Sequence, residues 1–225
     1  MMVTVERTGV APRVYTVEVT RSDGYLRFKR FFDITLASCI GVLVFLPLLL
    51  VIGPVLWLGG PVFYCQKRIG SGGRRFRCCK FRTMVPDADT VLRQIFVRAP
   101  EAKSQWDQYH KLTNDPRVTR LGRILRATSL DELPQLWNVL KGDMSLVGPR
   151  PIVEDEIPRY GKYFTHYISG RPGLTGVWQV YGRHNVVKYR RRVAMDVWYA
   201  RNHNIFVDCL LLAKTVQVVF RRTGL

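Results

Sequence analysis

The sequence predicts an α+β fold that is mainly helical, with an apolar membrane element in front of one compact domain. No charged residue occurs between Asp33 and Lys67, and residues 36–58 are almost wholly apolar. A glycine-rich turn at 70–73 separates two segments of strand character. A chain of 225 residues, 47% of them hydrophobic, buries one core plus a membrane element but hardly two large domains. We therefore predict three parts, namely an N-terminal arm over 1–26, a membrane element over 27–60 and a single domain over 61–225.

The first 20 residues or so alternate loosely between polar and apolar side chains, which predicts an edge strand or an arm without assigned function. The apolar stretch that follows is long enough to cross a bilayer, which takes roughly 20 residues. Pro47 lies in its middle, and an interior proline removes a backbone hydrogen bond and bends a helix. The stretch is either a kinked spanning anchor or a helix-break-helix that enters and leaves one leaflet.

Basic residues flank the apolar stretch on both sides. A spanning helix concentrates Lys and Arg on its cytoplasmic side, so two basic flanks indicate that both ends are cytoplasmic. The N-terminal flank contains Arg21, Arg27, Lys29 and Arg30, and the C-terminal flank contains Lys67, Arg68, Arg74, Arg75, Arg77, Lys80 and Arg82.

The domain begins with a predicted hairpin, whose strands cover 63–69 and 76–84. Short helices are predicted from Asp87 to about residue 97, over 121–127 and over 136–140, with most of the remaining middle in loops. Apolar residues between Val186 and Ala200 repeat at helical spacing beside basic ones, so this helix packs on the core or lies on anionic lipid. Residues 206–220 are apolar nearly all round, but Asp208, Lys214 and Gln217 argue against a second span.

The charge of the chain is strongly positive, because 35 Lys and Arg outnumber 17 Asp and Glu and give a net charge of +18. Such a field attracts phosphates, anionic membrane lipid or nucleic acid. No motif of known nucleic-acid docking geometry accompanies it, so we expect no nucleic acid among the partners.

The cysteines and histidines predict no metal centre. The five cysteines are odd in number and form no C-x-x-C pair, so we expect reduced thiols. The four histidines stand far apart without ligand spacing.

Asp131 and Glu132 form the main candidate for chemistry. Upstream of them, Arg117, Arg120 and Arg123 fall within seven residues of sequence, and Arg126 stands between these arginines and the acidic pair. One carboxylate could act as a nucleophile toward phosphorus and the other could bind Mg²⁺, while arginines hold phosphate oxygens. The alternative is structural, because Ser129-x-x-Glu132 is also a capping box for a helix N-terminus.

Three further segments have both a functional and a structural interpretation. Arg150 stands in a Pro-x-Pro frame that suits a fixed phosphate contact, or lies in a plain solvated turn. Residues 171–183 mix turn residues, Trp178 and two arginines, and either line a nucleotide site or form a packed loop. Residues 154–156 are all acidic, which indicates a helix start or a solvated run more than a second metal site.

Six motifs occur in order, at 29–33, 61–70, 80–84, 129–135, 148–151 and 172–176. Together they resemble the bacterial sugar transferases, which are monotopic polyprenol-phosphate phosphoglycosyl transferases that begin exopolysaccharide and glycoconjugate assembly. The likeness runs from about residue 27 to the C-terminus and is closest to the compact hexose-1-phosphate transferases.

The resemblance implies a re-entrant membrane helix broken at Pro47, followed by a catalytic domain with interfacial amphipathic helices. It implies that Asp131 attacks the sugar-bearing phosphate of a UDP-hexose, expels UMP and passes the sugar phosphate to undecaprenyl phosphate. Glu132 would then be its Mg²⁺-associated partner, with Asp131 and Glu132 both at the metal. Lys80, Arg126 and Arg150 would bind phosphate.

The same resemblance implies a location on the cytoplasmic face of the bacterial inner membrane. A homo-oligomer and downstream glycosyltransferases are the further partners to expect. Two rival hypotheses are a basic nucleic-acid-binding membrane protein and a membrane-surface scaffold that recruits polysaccharide enzymes.

Overall fold

The computed structural model describes residues 2–7, 10–16, 23–109, 112, 115–182 and 189–220. Within these ranges the chain is mostly helical with short strand pairs, which confirms the predicted α+β class. Some residues of the sequence interpretation lie outside the described ranges, namely Arg21, Val186, Arg183 at the end of the 171–183 segment, and two of the four histidines, His110 and His184.

The helices of the described part vary from four to 18 residues. They are α1 Asp23–Ile40, α2 Leu46–Leu58, α3 Ala88–Arg98, α4 Pro100–Tyr109, α5 Arg120–Ala127, α6 Leu136–Lys141, α7 Ile157–Tyr160, α8 Phe164–Ile168, α9 Val177–Tyr181, α10 Tyr189–Asn202 and α11 Ile205–Phe220. A π-helical turn, Gly41–Phe45, joins α1 to α2. Short 3₁₀ helices occur at Ser71–Gly73, Leu130–Gln135, Glu154–Glu156 and Gly161–Tyr163.

The strands of the described residues form three separate pairs. They are the antiparallel hairpins β1 Met2–Arg7 with β2 Val10–Thr16 and β3 Phe63–Ile69 with β4 Arg75–Phe81, and the parallel pair β5 Ser145–Val147 with β6 Gly173–Thr175. The hairpin predicted around 70–73 is confirmed. Gly72 and Gly73 have φ values of 66° and 76°, a left-handed backbone that favours glycine in the turn.

The apolar stretch is one continuous helix. Phe45 and Leu46 keep right-handed helical dihedral angles, and the Leu46 N–H donates to the Gly41 carbonyl, five residues back. Pro47 has no N–H to donate, so a π turn and a proline coincide, and each is a known cause of helix bending. The helix therefore continues through Pro47 with a π turn directly before it, and a break that reverses its direction there stays a prediction. A return to the same membrane face stays a prediction.

One face of this long helix contacts the domain at both ends. Near the N-terminus, Asp33 and Ala37 are buried beside α6 and β5. Near the C-terminus, Ile52 and Leu56 share a buried cluster with Phe81. The opposite face exposes Leu43, Leu50, Val51, Val55, Trp57 and Leu58. Among the described residues, Gly24–Leu58 is the helix whose length and composition suffice to cross a membrane.

The expectation of five reduced thiols is wrong for Cys65 and Cys79, which form a disulfide between β3 and β4. The hairpin register places them directly opposite each other, with Cα atoms 4.0 Å apart. Cross-strand neighbours at such a distance bring their side chains together. Cys39, Cys78 and Cys209 are free, and Cys78 is buried.

The C-terminal helices pack on the domain with their inner faces. Val193, Asp196 and Tyr199 of α10 are buried, as is Leu211 of α11. Core packing therefore accounts for one face of each helix. Outward-facing apolar residues remain exposed, namely Trp198, Phe206, Leu210 and Val216. Contact of these outward faces with lipid stays a prediction.

Candidate active site

Asp131 and Glu132 lie in the 3₁₀ helix Leu130–Gln135, directly after α5. Ser129, the residue before this helix, has a left-handed φ of 56°, which is uncommon for a side chain other than glycine. Its hydroxyl makes no capping hydrogen bond. The capping-box interpretation is therefore wrong. The Glu132 side chain turns away from the helix start toward strand β4.

Lys80, near the end of β4, contacts both carboxylates. Its Nζ donates to Glu132 Oε1 at 2.6 Å and lies 3.8 Å from Asp131 Oδ2. Asp131 is only 8% exposed, so this positive charge stabilises a carboxylate that burial would otherwise disfavour. Lys80 thus belongs to the same site as the acidic pair.

Arg126 approaches the pair from the last turn of α5. Its Nε donates to the Thr83 Oγ1 at 2.9 Å. Burial lowers the pKa of the Arg126 guanidinium, while the carboxylates of Asp131 and Asp115 oppose that effect. Asp115 is itself held by Arg117, whose Nε donates to Asp115 Oδ1 at 2.8 Å. These contacts fix the direction in which Arg126 points.

Arg150 reaches the site from the loop after β5. The Asp196 carboxylate accepts the backbone N–H of Arg150 and, at 2.6 Å, the hydroxyl of Tyr160. Burial raises the pKa of Asp196 to about 6, although these hydrogen bonds and the nearby Arg192 act in the opposite direction. Glu132 lies close enough to act on the charge of Arg150. The structure therefore brings together all the residues predicted at the catalytic site, namely Lys80, Arg126, Asp131, Glu132 and Arg150.

Sequence reasoning missed two arginines beside Arg150. Arg68 Nη1 donates to the Pro151 carbonyl at 3.2 Å, and Arg192 Nη1 donates to Glu156 Oε1 at 2.9 Å. Arg68 lies in one of the ordered motifs and Arg192 in the basic helix, but only the fold shows that they converge. The acidic run at 154–156 opens a 3₁₀ helix as predicted, and Glu156 also joins this arginine cluster.

Residues from the 171–183 segment complete a small cleft beside Glu132. Gly173 and Leu174 line it, together with Gln179 from α9. Gln179 is buried, and no described residue bonds its Oε1. Its amide is therefore a candidate polar contact for a substrate. The cleft is also lined by Arg68, Cys78, Lys80, Glu132, Gln135, Arg150 and Pro151.

Comparison with known proteins identifies the family. The family described as "Bacterial sugar transferase" matches residues 24–222, which is most of the chain. The chain belongs to the bacterial sugar transferase family. The match includes the α1–α2 helix from residue 24 onward and every residue of the candidate site.

Proteins similar to this sugar transferase have names that refer to sugar transfer or exopolysaccharide production. It is 48% identical to the "Exopolysaccharide production protein ExoY" of Rhizobium meliloti over 198 residues, 87% of each chain. It is 47% identical to the "Undecaprenyl-phosphate galactose phosphotransferase" of Salmonella typhimurium over 91% of its own length and 42% of that protein. It is also 47% identical to the "UDP-galactose-lipid carrier transferase" of Erwinia amylovora, over 87% and 41% of the two chains. The sugar transferase thus spans about two fifths of these two longer relatives.

The acidic pair of this sugar transferase fits a magnesium ion that is shared with a phosphate substrate. Within the described residues, no three His, Cys, Asp or Glu side chains are grouped as a metal cage. Asp131 and Glu132 nevertheless offer carboxylate oxygens side by side, and Mg²⁺ in proteins is often bound by one or two carboxylates plus substrate phosphates. The carboxylate oxygens of the pair suit Mg²⁺, and its binding there stays a prediction.

Proposed function

We propose that this sugar transferase moves hexose-1-phosphate, with galactose or glucose as the sugar, from a UDP-sugar to undecaprenyl phosphate. UMP is the product released, and the reaction is the first membrane step of exopolysaccharide biosynthesis. The observation that carries the proposal is the pair of buried Asp131 and partly buried Glu132, set among Lys80, Arg126 and Arg150 beside an exposed apolar helix. The relatives' names, which include a galactose phosphotransferase and an exopolysaccharide protein, support the substrate class.

The proposed reaction has two displacements at one phosphorus atom. In the first, an Asp131 carboxylate oxygen attacks the sugar-bearing phosphate of the UDP-sugar, and the bond to the UMP oxygen breaks. UMP leaves with that electron pair, and the sugar phosphate remains as an acyl phosphate on Asp131. In the second, a phosphate oxygen of undecaprenyl phosphate attacks the same phosphorus and frees Asp131. Splitting the transfer lets a soluble donor leave before a lipid acceptor arrives.

The surrounding cations have distinct places in this scheme. Lys80 contacts Glu132 more closely than Asp131, which leaves the proposed nucleophile farther from the ammonium charge. Arg126 and Arg150 approach the pair from different elements and would hold the charged phosphate oxygens. When bound at Asp131 and Glu132, Mg²⁺ would offset the negative charge of the two substrate phosphates.

The test is release of UMP by the purified protein with Mg²⁺, undecaprenyl phosphate and either UDP-galactose or UDP-glucose. We expect Asp131→Asn to lose nearly all activity, because an amide cannot form the acyl phosphate. Asp89→Asn, which changes an exposed carboxylate on α3, is the matched control and should behave as wild type. With donor alone, radiolabelled sugar should remain on denatured wild-type protein and be missing from Asp131→Asn. Full activity of Asp131→Asn would refute the nucleophile.

A further inference from the structure

A second and larger cleft lies outside the candidate active site. Its volume is about 1040 Å³, and it is bounded by α1, the turn between β3 and β4, the loop around 166–171 and the end of α10. None of the five catalytic-site residues, all within the described ranges, lines it. The proposed reaction therefore does not account for the residues that line this cleft.

Cations dominate the polar lining of this cleft. Several of them are engaged: Lys29 Nζ donates to Asp208 at 2.6 Å, Arg75 pairs with Glu154 and Arg171 donates to the Gly142 carbonyl. Arg27 and Arg74 differ, because both are exposed and neither side chain has a hydrogen bond or ion pair with a described residue. Two guanidinium groups at one cleft are thus available to an anion.

The wall that α1 contributes has an apolar part beside its charged residues. Leu26, Phe31 and Ile34 line the cleft on the same side of the helix as Arg27, at spacings that place them on one face. All three are exposed, Phe31 to 68%. Along the helix, this face leads toward the exposed apolar surface of the π turn and α2. The cationic end of the cleft and the exposed apolar surface of the helix therefore adjoin, as the headgroup and the acyl chains of a lipid do.

We propose that this cleft binds one anionic phospholipid. The headgroup phosphate lies between Arg27 and Arg74, and an acyl chain lies along Leu26, Phe31 and Ile34. A soluble phosphate or nucleotide would satisfy the guanidinium groups but leave the apolar wall in water, whereas a phospholipid covers both. The proposal goes beyond the transfer reaction. It rests only on the membrane location of the α1–α2 helix.

The experiment is a binding titration of the full chain in detergent, in which native mass spectrometry counts dioleoyl phosphatidylglycerol molecules retained per protein. We expect one tightly held lipid on wild type. The double variant Arg27→Gln/Arg74→Gln should bind it about tenfold or more weakly, since each cation near an anionic headgroup contributes to affinity. Arg98→Gln/Lys103→Gln removes two exposed charges from α3 and α4 and is the matched control, expected to bind as wild type.

Two further arms separate loss of the site from loss of fold and identify the ligand source. Arg27→Lys/Arg74→Lys keeps the charge and should retain most of the binding. Inorganic phosphate and UDP-glucose, each in excess, should not displace the lipid, and phosphatidylcholine should bind weakly. The proposal is overturned if the Gln variant binds as tightly as wild type, if phosphatidylcholine binds equally well, or if a soluble phosphate displaces the lipid. None of these results depends on UMP release, so they leave the proposed reaction untouched.

Discussion

Thr83 positions Arg126 through a single hydrogen bond, from Arg126 Nε to Thr83 Oγ1 at 2.9 Å. Thr83→Val replaces the hydroxyl by a methyl group of similar size, so the guanidinium loses an acceptor without losing packing. Hydrogen bonds to charged groups contribute roughly 1.5–3 kcal/mol, so we expect kcat/KM for the UDP-sugar to fall about tenfold or more. Steady-state UMP release measures this.

Thr90→Val is the control for that substitution. Thr90 Oγ1 also accepts a hydrogen bond from an arginine, Arg93, but on the exposed surface of α3. Its loss should leave kcat/KM within twofold of wild type, given that exposed pairs contribute roughly 0–1 kcal/mol. An equal effect of the two substitutions would mean that the Thr83 bond has no special place in the reaction.

Asp196 makes the stability of the fold depend on pH. Its pKa is about 6 in the folded chain, against 3.8 for an unperturbed carboxyl, because burial favours the protonated form. Between these values the folded state binds the extra proton, so stability falls as pH rises from about 4 to 6 and is level above that window. Asp196→Asn keeps the shape but cannot ionise. Relative to this variant, wild type should lose about 2–3 kcal/mol across the window.

Thermal unfolding of both proteins in detergent at pH 4.5, 5.5 and 7.5 measures the difference. Other titrating groups are common to the two chains, so their contributions cancel. Asp89→Asn supplies the control, because its carboxylate is exposed. A difference between wild type and Asp196→Asn that stays constant, or grows in favour of wild type with pH, would contradict the assignment.

The sequence was sufficient to name the candidate residues of the site but not the contacts between them. Asp131 and Glu132 stand out beside a run of arginines, and their motif resembles that of a known family. Lys80 lies 52 residues from Glu132, and Thr83 lies 43 residues from Arg126. Such contacts depend on how β4, α5 and the 3₁₀ helix pack. Periodicity within one segment carries no information about them.

Among the elements, those with a strong local signal were predictable. Strand β3 matches its predicted bounds, because its aromatic and β-branched residues stand directly before a glycine-rich segment that is typical of a tight turn. Strands β5 and β6 were missed, since three residues are too few to show alternation. Helix α4 was missed as well, because its polar sequence has little apolar periodicity. The Cys65–Cys79 disulfide follows from register, which the sequence alone leaves open.

Gly122 sets the distance between α5 and the segment after β4 that contains Thr83. A Cβ at this position would lie 2.0 Å from the Thr83 carbonyl oxygen, and backbone cannot move aside as a flexible side chain does. We expect Gly122→Ala to push α5 outward and to cost about 1–3 kcal/mol of stability, the usual range for overpacking. Arg126 moves with the helix, so UMP release should fall too.

Gly170→Ala is the control, because a Cβ there meets no atom within 4 Å. Thermal unfolding in detergent and UMP release compare the two variants. If Gly122→Ala unfolds at the same temperature as Gly170→Ala, then the close approach of α5 to Thr83 does not limit the packing of this region.

For the whole molecule, the path of the long helix decides how the site would meet the proposed lipid acceptor. A straight helix of 35 residues would be roughly 50 Å long, more than the hydrocarbon core of a bilayer. Yet the domain holds both of its ends. Arg30 donates to the Val139 and Leu140 carbonyls, and Arg82 donates to the Leu56 and Gly59 carbonyls at 2.6 Å. A spanning helix would carry one of these ends to the far side of the membrane.

The contacts at both ends, together with the two basic flanks, favour a helix that enters and leaves the same leaflet. We therefore expect Gly24→Cys and Lys67→Cys, each in a Cys39→Ser/Cys209→Ser background, to resist a membrane-impermeant maleimide in intact cells. Both positions are exposed, so permeabilised cells should label fully and serve as the accessibility control. Labelling of either cysteine from the periplasm would place that flank outside and exclude re-entry. Protection of both, with labelling after permeabilisation, would place the acidic pair and the apolar helix at one membrane face, where a soluble donor and a lipid acceptor can meet.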